Sequence, residues 1–585
     1  MRAVVVNQIA SVGKVAARRE LRALPSPAFE IDFPAQLATL ANPMAESKEN
    51  LQMEKIVSLC KRRGFVFQSS EIYGGLNGFW DYGPLGAELK RNVKELWWNA
   101  MTRQRDDVAG LEATIIMSPK IWEASGHVAT FSDPMIDCKT CKGRFRADQT
   151  DEIPCPQKPS KCVNECNGEK TEARAFNLMF QTYVGPTATA ADIAYLRPET
   201  AQAIFAQFKN VLETSRQKVP FGIAQVGKAF RNEVTPRNFT FRSREFEQME
   251  LEFFIKPDEV IEAIHGSVFT PTTNSQLQSP EPNWGWQAWH QYWVEERVRF
   301  YEGIGLSRTT LGFHHQTPAE LAHYARACTD ILFKFPFSKK DAEGNVTGDE
   351  LEGIAARSDF DLSQHQRFSG KPMGVFDDEL RAAWAKLPKE KQDDLWKRYY
   401  ENRKNYLTKS AKPDETAEQI SQQATEDTNG LAKGQYIPHV IEPSAGVDRL
   451  ILALIANAYS EETKTDDKGK SETIYTMKFH PRVAPIKAGV FPLMKNKPEL
   501  VKKAQEVRDL LRPWMNVYYD EAGSIGKRYA RQDEAGTPFC VTIDFDTLGE
   551  KPELLDTVTL RYRDDGKQER LKISELRDWL LSKIR

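Results

Sequence analysis

Between Phe221 and Phe254 the chain passes from a continuous apolar run to strict alternation. The run Phe221 to Phe230 (FGIAQVGKAF) predicts a buried strand, Thr235-Pro236-Arg237-Asn238 supplies turn chemistry, and a second strand follows with period two. If that strand is continuous, Arg242, Arg244, Phe246, Gln248 and Glu250 share one face, while Phe241, Met249, Leu251 and Phe253 share the other and predict core. The polar face then offers cations, an aromatic ring and a carboxylate in that order. Guanidinium forks suit phosphate, a ring stacks on a base, and a carboxylate suits an ammonium. A charged solvent face gives the same pattern, so periodicity alone leaves both readings open.

Elsewhere the pattern predicts an amphipathic helix over residues 51–67 ended by Gly64, and a helix over 87–101 introduced by Pro84. A tryptophan-rich helix contains Trp284, Trp286, Trp289 and Trp293, whose helical spacing favours core or interface over base stacking. Ile437 to Ala458 reads as an apolar strand, a turn at Ala445-Gly446, and a helix starting near Val447. Residues 266–283 read as a surface loop insertion, 377–434 as an exposed helical and polar insertion, and Glu461 to Glu472 as a charged linker. From 480 to 585 strand and helix alternate, which predicts a separate α/β domain. In that domain Lys527, Arg528 and Arg531 offer a local basic patch for RNA, with a solvated helix face as the equal alternative.

Composition changes this picture little. The 585 residues are 40% hydrophobic and 28% charged with formal net charge −2, so any nucleic-acid contact must come from local patches. No run of about 18 apolar residues argues for a membrane span. Residues 1–45 begin with an Arg-rich stretch, 1–27, in which Glu20 is the single acid. They read as a disordered extension, or as the result of a start codon assigned too early with Met44 the natural beginning, with a targeting peptide as the other reading. Five of the eight cysteines fall between Cys138 and Cys166. The pairs Cys138/Cys141 and Cys162/Cys166 allow a structural zinc, with Cys155 spare, and free thiols are the alternative.

Several stretches together resemble the class II aminoacyl-tRNA synthetases. Phe230-Arg231-Asn232-Glu233 with Phe241-Arg242-Ser243-Arg244-Glu245-Phe246 resembles motif 2, and Ile437 to Ala458 resembles motif 3. The Gly-rich stretch Ser70 to Gly86 resembles motif 1, which carries dimer contacts. Leu196-Arg197-Pro198-Glu199-Thr200-Ala201-Gln202 and Glu350-Leu351-Glu352-Gly353 through Asp359 resemble signatures of the homodimeric glycyl-tRNA synthetases. The resemblance covers residues 50–585. It implies an α/β (α+β) chain with an antiparallel-sheet catalytic domain over 46–478, interrupted by a Cys-rich insertion at 137–172. An anticodon-binding domain over 479–585 follows.

The same resemblance implies the chemistry. Glycine and ATP would form glycyl-adenylate, and the glycyl group would pass to the 3′ end of tRNA(Gly). Arg231, Glu350 and Arg449 are the implied catalytic residues, with Glu350 holding Mg2+ and Arg449 the γ-phosphate. Asn232, Glu233, Phe241, Arg242, Arg244, Phe246, Leu351 and Gly446 complete the ATP set. Arg146, Glu199, Phe246, Glu250, Glu442 and Ser444 would take glycine. A cytoplasmic homodimer is the implied form. The rival readings are a synthetase for threonine, proline or histidine, and a non-catalytic synthetase-like protein that binds nucleic acid.

Overall fold

The computed structural model describes residues 48–585 except 152, 187, 323, 342, 344, 412–414 and 466–470. The N-terminal extension expected over residues 1–45 lies outside the described residues. In chain order the elements that position the site are α1 (Lys48–Arg63), α2 (Pro84–Trp98), β1 (Val108–Gly110), α3 (Ala201–Ser215), β2 (Phe221–Phe230) and β3 (Glu245–Ile255). They continue with α4 (Trp286–Gly303), β4 (Leu311–His315), β5 (Ala327–Phe333), β6 (Asp349–Ser358), α5 (Phe360–Ser369), β7 (His439–Gly446) and α6 (Val447–Ala458).

The strands form one sheet in the order β4-β5-β6-β7-β3-β2-β1, antiparallel throughout except where β1 runs parallel to β2. Register sets the site. Gln225, Glu250, Ser444 and Gly353 lie in one row across β2, β3, β7 and β6, and Glu442 pairs with Ala355 one row away. The predicted core face is core: Met249, Leu251 and Phe253 pack with Trp289 and Trp293 of α4 and with Leu450 and Ile451 of α6. Burying such a ring removes it from water at roughly 25 cal/mol per Å2, so the tryptophan stripe is structural. On the opposite face Phe254 meets Phe205 and Phe208 of α3.

The motif 2 stretch departs from the expected continuous strand. Strand β3 begins at Glu245, and a single turn of helix (Phe239–Phe241) closes the preceding loop. Asn238 and Phe239 adopt φ of 58° and 57°, a left-handed pair that period-two reasoning does not anticipate. Arg242 and Arg244 therefore sit on a loop, not on the strand face.

Residues 377–434 are less exposed than the polar composition predicts. Helices Asp378–Trp384, Lys389–Lys409 and Ala417–Asn429 bury Leu380, Trp384, Leu395 and Tyr399 in the same cluster as Phe205 and Phe208. Buried Arg403 fastens them, pairing with Asp359 and Asp427. The stretch read as a charged linker is a hairpin, Tyr459–Thr465 with Ser471–Met477, whose last residue is fully buried.

Beyond it come β8 (Ala488–Pro492), α7 (Pro498–Leu511), β9 (Val517–Tyr519), α8 (Ile525–Ala535), β10 (Phe539–Ile543), β11 (Thr557–Tyr562), β12 (Gln568–Lys572) and α9 (Ile573–Ile584). Their sheet runs β9-β8-β10-β11-β12, parallel on the β9 side and antiparallel on the β12 side. The polar edge strand β12 escaped the sequence reading. The basic patch is corrected: Arg528 is buried and donates to the carbonyls of Pro492 and Leu493, and Arg531 is tied to Asp520. The junction is anchored to the catalytic core, because Asn92 of α2 donates to the carbonyls of Val483 and Ala484 at 3.2 and 3.0 Å. Arg563 bonds the carbonyl of Phe479 at 2.8 Å.

One carboxylate joins the three motifs. Asp448 accepts from Tyr82 (2.6 Å), from Lys90 of α2 (2.8 Å) and from the amide of Glu247 (2.7 Å). Asp448→Ala leaves a phenol and an amide without this acceptor and a buried ammonium with Glu247 alone. Chemical denaturation is expected to show a loss of about 2–4 kcal/mol in unfolding free energy; a loss below about 0.5 kcal/mol contradicts the hub.

Candidate active site

Motif 2, β6 and the start of α6 enclose a cleft of ≈ 310 Å3. Arg231, Glu233, Phe241, Arg242, Phe246, Glu350, Leu351, Gly446 and Arg449 line it, and Ser444 closes one end. Two residues expected here are elsewhere. Asn232 is not among the lining residues; its amide donates to Leu178. Arg244 is spent on the loop itself, bonding the carbonyls of Asn77 and Glu233.

The lining cations are pre-set. Arg231 bonds the Pro198 carbonyl at 3.0 Å, and its guanidinium lies 5.5 Å from the Phe131 ring and 5.3 Å from Phe246. Two ring faces restrict the fork while leaving its remaining donors for a ligand. Arg449, in the first turn of α6, sits where a cation meets the positive helix end. The guanidinium escapes sideways, stacking 4.5 Å from the Phe241 ring and pairing with Glu350 at 3.2 Å. Arg242 pairs with Glu233 at 2.8 Å.

Past Ser444 the surroundings become acidic and buried. Glu250 accepts from Ser444 Oγ (2.8 Å), from Gln248 (2.8 Å) and from the Thr200 amide (3.1 Å) and hydroxyl. Glu442 accepts from Arg357 at 2.8 Å, and the same guanidinium takes Asp361 at 2.8 and 2.9 Å with the Tyr324 ring 3.9 Å away. Glu199 accepts from Gln202 at 3.0 Å and lies 3.3 Å from His127 Nε2. Arg197, two residues before Glu199, is not among the residues that line the cleft. It crosses β2 at Gly227, where a Cβ would stand 2.1 Å from its Nη2, and bonds Lys228 O at 2.6 Å.

Burial would raise every one of these carboxylates, and the cations decide which stay ionised. For Glu199 burial is outweighed by His127, then by Arg357 and Gln202, so it lies well below the usual carboxylate range. For Glu442 burial prevails over Arg357, helped by Glu250 and Glu199, and the group is pushed up to about 8. Burial and neighbouring Glu199 also raise Glu250. Glu252, on the same face of β3, is fully buried with neither carboxylate oxygen hydrogen-bonded; burial and Glu442 push it well above the ordinary range, so it is a neutral acid.

Two other expectations are corrected. Arg146 is not among the glycine-side carboxylates; it pairs with Asp133 and Asp148, each at 2.7 Å, and the site carboxylate that acts on it is Glu233. Among the described residues no group of three or more side chains is arranged to hold a metal ion, so Cys138, Cys141, Cys162 and Cys166 do not form the expected zinc site. Cys138 neighbours Cys141 and Cys166, while Cys166 neighbours the supposedly spare Cys155. The Cys162 amide is bonded to Glu165. Sequence reasoning missed His127, Phe131, Gln202 and Glu252. Only Glu252 had a signal, its place two residues past Glu250 on the polar face.

Comparison with known proteins agrees with the geometry. Residues 188–273 match the family described as tRNA synthetase class II core domain (G, H, P, S and T), and residues 487–583 match the anticodon binding domain. The glycine–tRNA ligase of Treponema denticola is 44% identical over 527 residues, covering 90% of this chain and 96% of its own length. Those of Thermobifida fusca and Thermus thermophilus are 41% and 40% identical over 91% of this chain, covering 98% and 99% of their own.

Because the folded-state value of Glu252 is raised, its contribution to stability is full below the ordinary carboxylate value and is lost as pH rises above it. Glu252→Gln removes that loss. Between about pH 4.5 and 7 the variant should gain on the wild type by up to about 1.4 kcal/mol per pH unit in urea titrations. Parallel pH profiles would mean that Glu252 is ionised.

Proposed function

The chain belongs to the glycine–tRNA ligases, an aminoacyl-tRNA synthetase family, and on that premise we propose how its residues join glycine to tRNA(Gly). The observation that carries the reading is the meeting of Arg231 and Arg449, from distant segments, in one cleft that ends at Ser444 and the buried carboxylates.

ATP lies in the cleft with adenine on Phe246 and its amino group toward Glu233. Arg242 stands beside the α-phosphate and Arg449 takes the γ-phosphate. Arg231 meets the α-phosphate oxygens where negative charge builds as the glycine carboxylate attacks. An oxygen–phosphorus bond forms, the bond to the β-phosphate breaks, and pyrophosphate leaves. A hydroxyl of the terminal ribose of tRNA then attacks the glycyl carbonyl and AMP departs. Neither step needs covalent chemistry from the protein. Positioning and charge neutralisation lower both barriers. Glu350 is half-exposed and tied only to Arg449, so its oxygens suit Mg2+. The ion, when bound, supplies charge neutralisation at the triphosphate.

The ammonium of glycine enters among Glu199, Glu250 and Glu442. Ionised Glu199 is its principal counter-charge, and the raised Glu442 gives up its proton as the ammonium arrives. Selectivity comes from Ser444, held against Glu250, which leaves no room for a β-carbon; steric exclusion of larger amino acids is the stronger form of discrimination. The working form is a cytoplasmic homodimer. Ile72 and Tyr73, 88% and 87% exposed in the motif 1 loop, are surfaces for the second subunit. Among the described residues no helix is long and apolar enough to cross a membrane.

Arg231→Ala is expected to lower glycine-dependent exchange of pyrophosphate into ATP by about 100-fold or more, with the thermal melt unchanged. Wild-type exchange in that variant refutes the role. Ser444→Leu should raise KM for glycine by at least about tenfold while KM for ATP stays within about twofold; equal changes in both would count against the pocket.

A further inference from the structure

His127 is the first residue of the helical turn His127–Thr130, which follows helix Pro119–Ala124 ahead of the Cys-rich insertion. Both ring nitrogens are engaged. Nδ1 lies 2.8 Å from Ser125 Oγ, and that hydroxyl is placed to donate to the Trp122 carbonyl at 3.4 Å. When the serine proton is directed to Trp122 the serine oxygen accepts and Nδ1 carries a proton; when it is directed to Nδ1 the ring is neutral and donates from Nε2 alone. Nε2 lies 3.3 Å from Glu199 Oε2, a carboxylate oxygen that can only accept. Two donors on one ring make an imidazolium. The rings of Trp122 and Phe131 wall it in at 5.5 and 5.2 Å. With both nitrogens protonated, the ring places a cation against the carboxylate that the substrate ammonium needs.

We propose that His127 is a positioning residue of the glycine pocket: it holds Glu199 oriented in the empty enzyme and yields it to the substrate ammonium, so that glycine affinity depends on His127 protonation. The inference rests on the reading of Glu199 as the ammonium acceptor. Glu199 lies well below the usual carboxylate range against the effect of burial, as such a pair requires. The other charged groups around the pair are Arg231 behind Phe131, Arg357 and Asp361 across the pocket, Glu250 and Glu442 on the sheet, and Glu123 on the preceding helix. Imidazolium and ammonium compete for one carboxylate. Neutral imidazole leaves it to the ammonium, and glycine then binds more tightly as pH rises.

The test compares KM for glycine in pyrophosphate exchange between wild type and His127→Gln across about pH 6 to 8.5. Glutamine donates a hydrogen bond but carries no charge. Carboxylates such as Glu442 titrate in both proteins and cancel in the ratio. The ratio of wild-type to variant KM should rise about fivefold or more from the alkaline to the acid end, with the KM ratio for ATP constant. A glycine ratio constant within about twofold overturns the proposal, as does an equal rise for ATP. A second readout needs no substrate. The His127 ring resonance, identified by its loss in His127→Gln, should titrate at lower pH in Glu199→Gln. An unmoved titration overturns the pair. If the wild type shows no glycine-dependent exchange, the reading of the reaction fails, and this resonance still decides the pair.

Discussion

More carboxylates have been carried into this interior than its cations can neutralise. Glu199, Glu250, Glu252, Glu442 and Asp361 crowd a region where the buried guanidinium groups are those of Arg357 and Arg197, and Arg197 is bonded to the backbone carbonyls of Lys228 and Ala113. An unpaired buried charge costs several kcal/mol, so the protein resolves the excess by leaving some groups protonated and pairing the rest. On the function proposed above, that unresolved demand for positive charge is the physical basis of ammonium binding. The proposed substrate would then complete a network that the polypeptide leaves short, with binding energy drawn from relief of an existing cost rather than from new apolar contact.

Holding such a cluster demands a rigid frame. The seven-stranded sheet provides it by placing Gln225, Glu250, Ser444 and Gly353 in one row, with the tryptophan-packed core behind. Asp448 fixes helices to the sheet by drawing α2, β3 and α6 onto one carboxylate. Arg197 does the same beneath the glycine side, where Gly227 leaves room for its guanidinium. The phosphate side is built differently. Its arginines lie on aromatic rings with donors left over, and so remain available to a polyanion.

Much of this was legible in the sequence where local pattern and tertiary demand coincide. Strand Phe221–Phe230 fell on the predicted residues, and the alternation from Gln248 to Phe253 gave the right faces because one side is core. It failed where a left-handed turn interrupts the period, at Asn238 and Phe239, and so put Arg242 and Arg244 on a strand. Charge misled twice in opposite senses. The polar stretch 377–434 hides Leu380, Leu395 and Tyr399 on helix faces turned inward, and the cationic run around Arg528 contains a buried side chain that caps backbone carbonyls. His127 was invisible, because nothing in its neighbours announces that the chain returns it to Glu199, 72 positions later in sequence. Contacts of that range are set by the whole fold.

The bonds at the start of the C-terminal domain bear on how modular this chain is. Phe479, Val483 and Ala484 belong to the hydrophobic core of the catalytic sheet, and Asn92 and Arg563 are anchored on their backbone carbonyls. The passage between the two halves is thus a shared wall, not a tether. Cutting the gene at residue 478 would strip apolar side chains and hydrogen-bond acceptors from the upstream fragment, next to the helix whose Lys90 serves Asp448. An RNA-reading module and a catalytic module have here become a single piece of masonry, and neither can be lifted out without unseating the other.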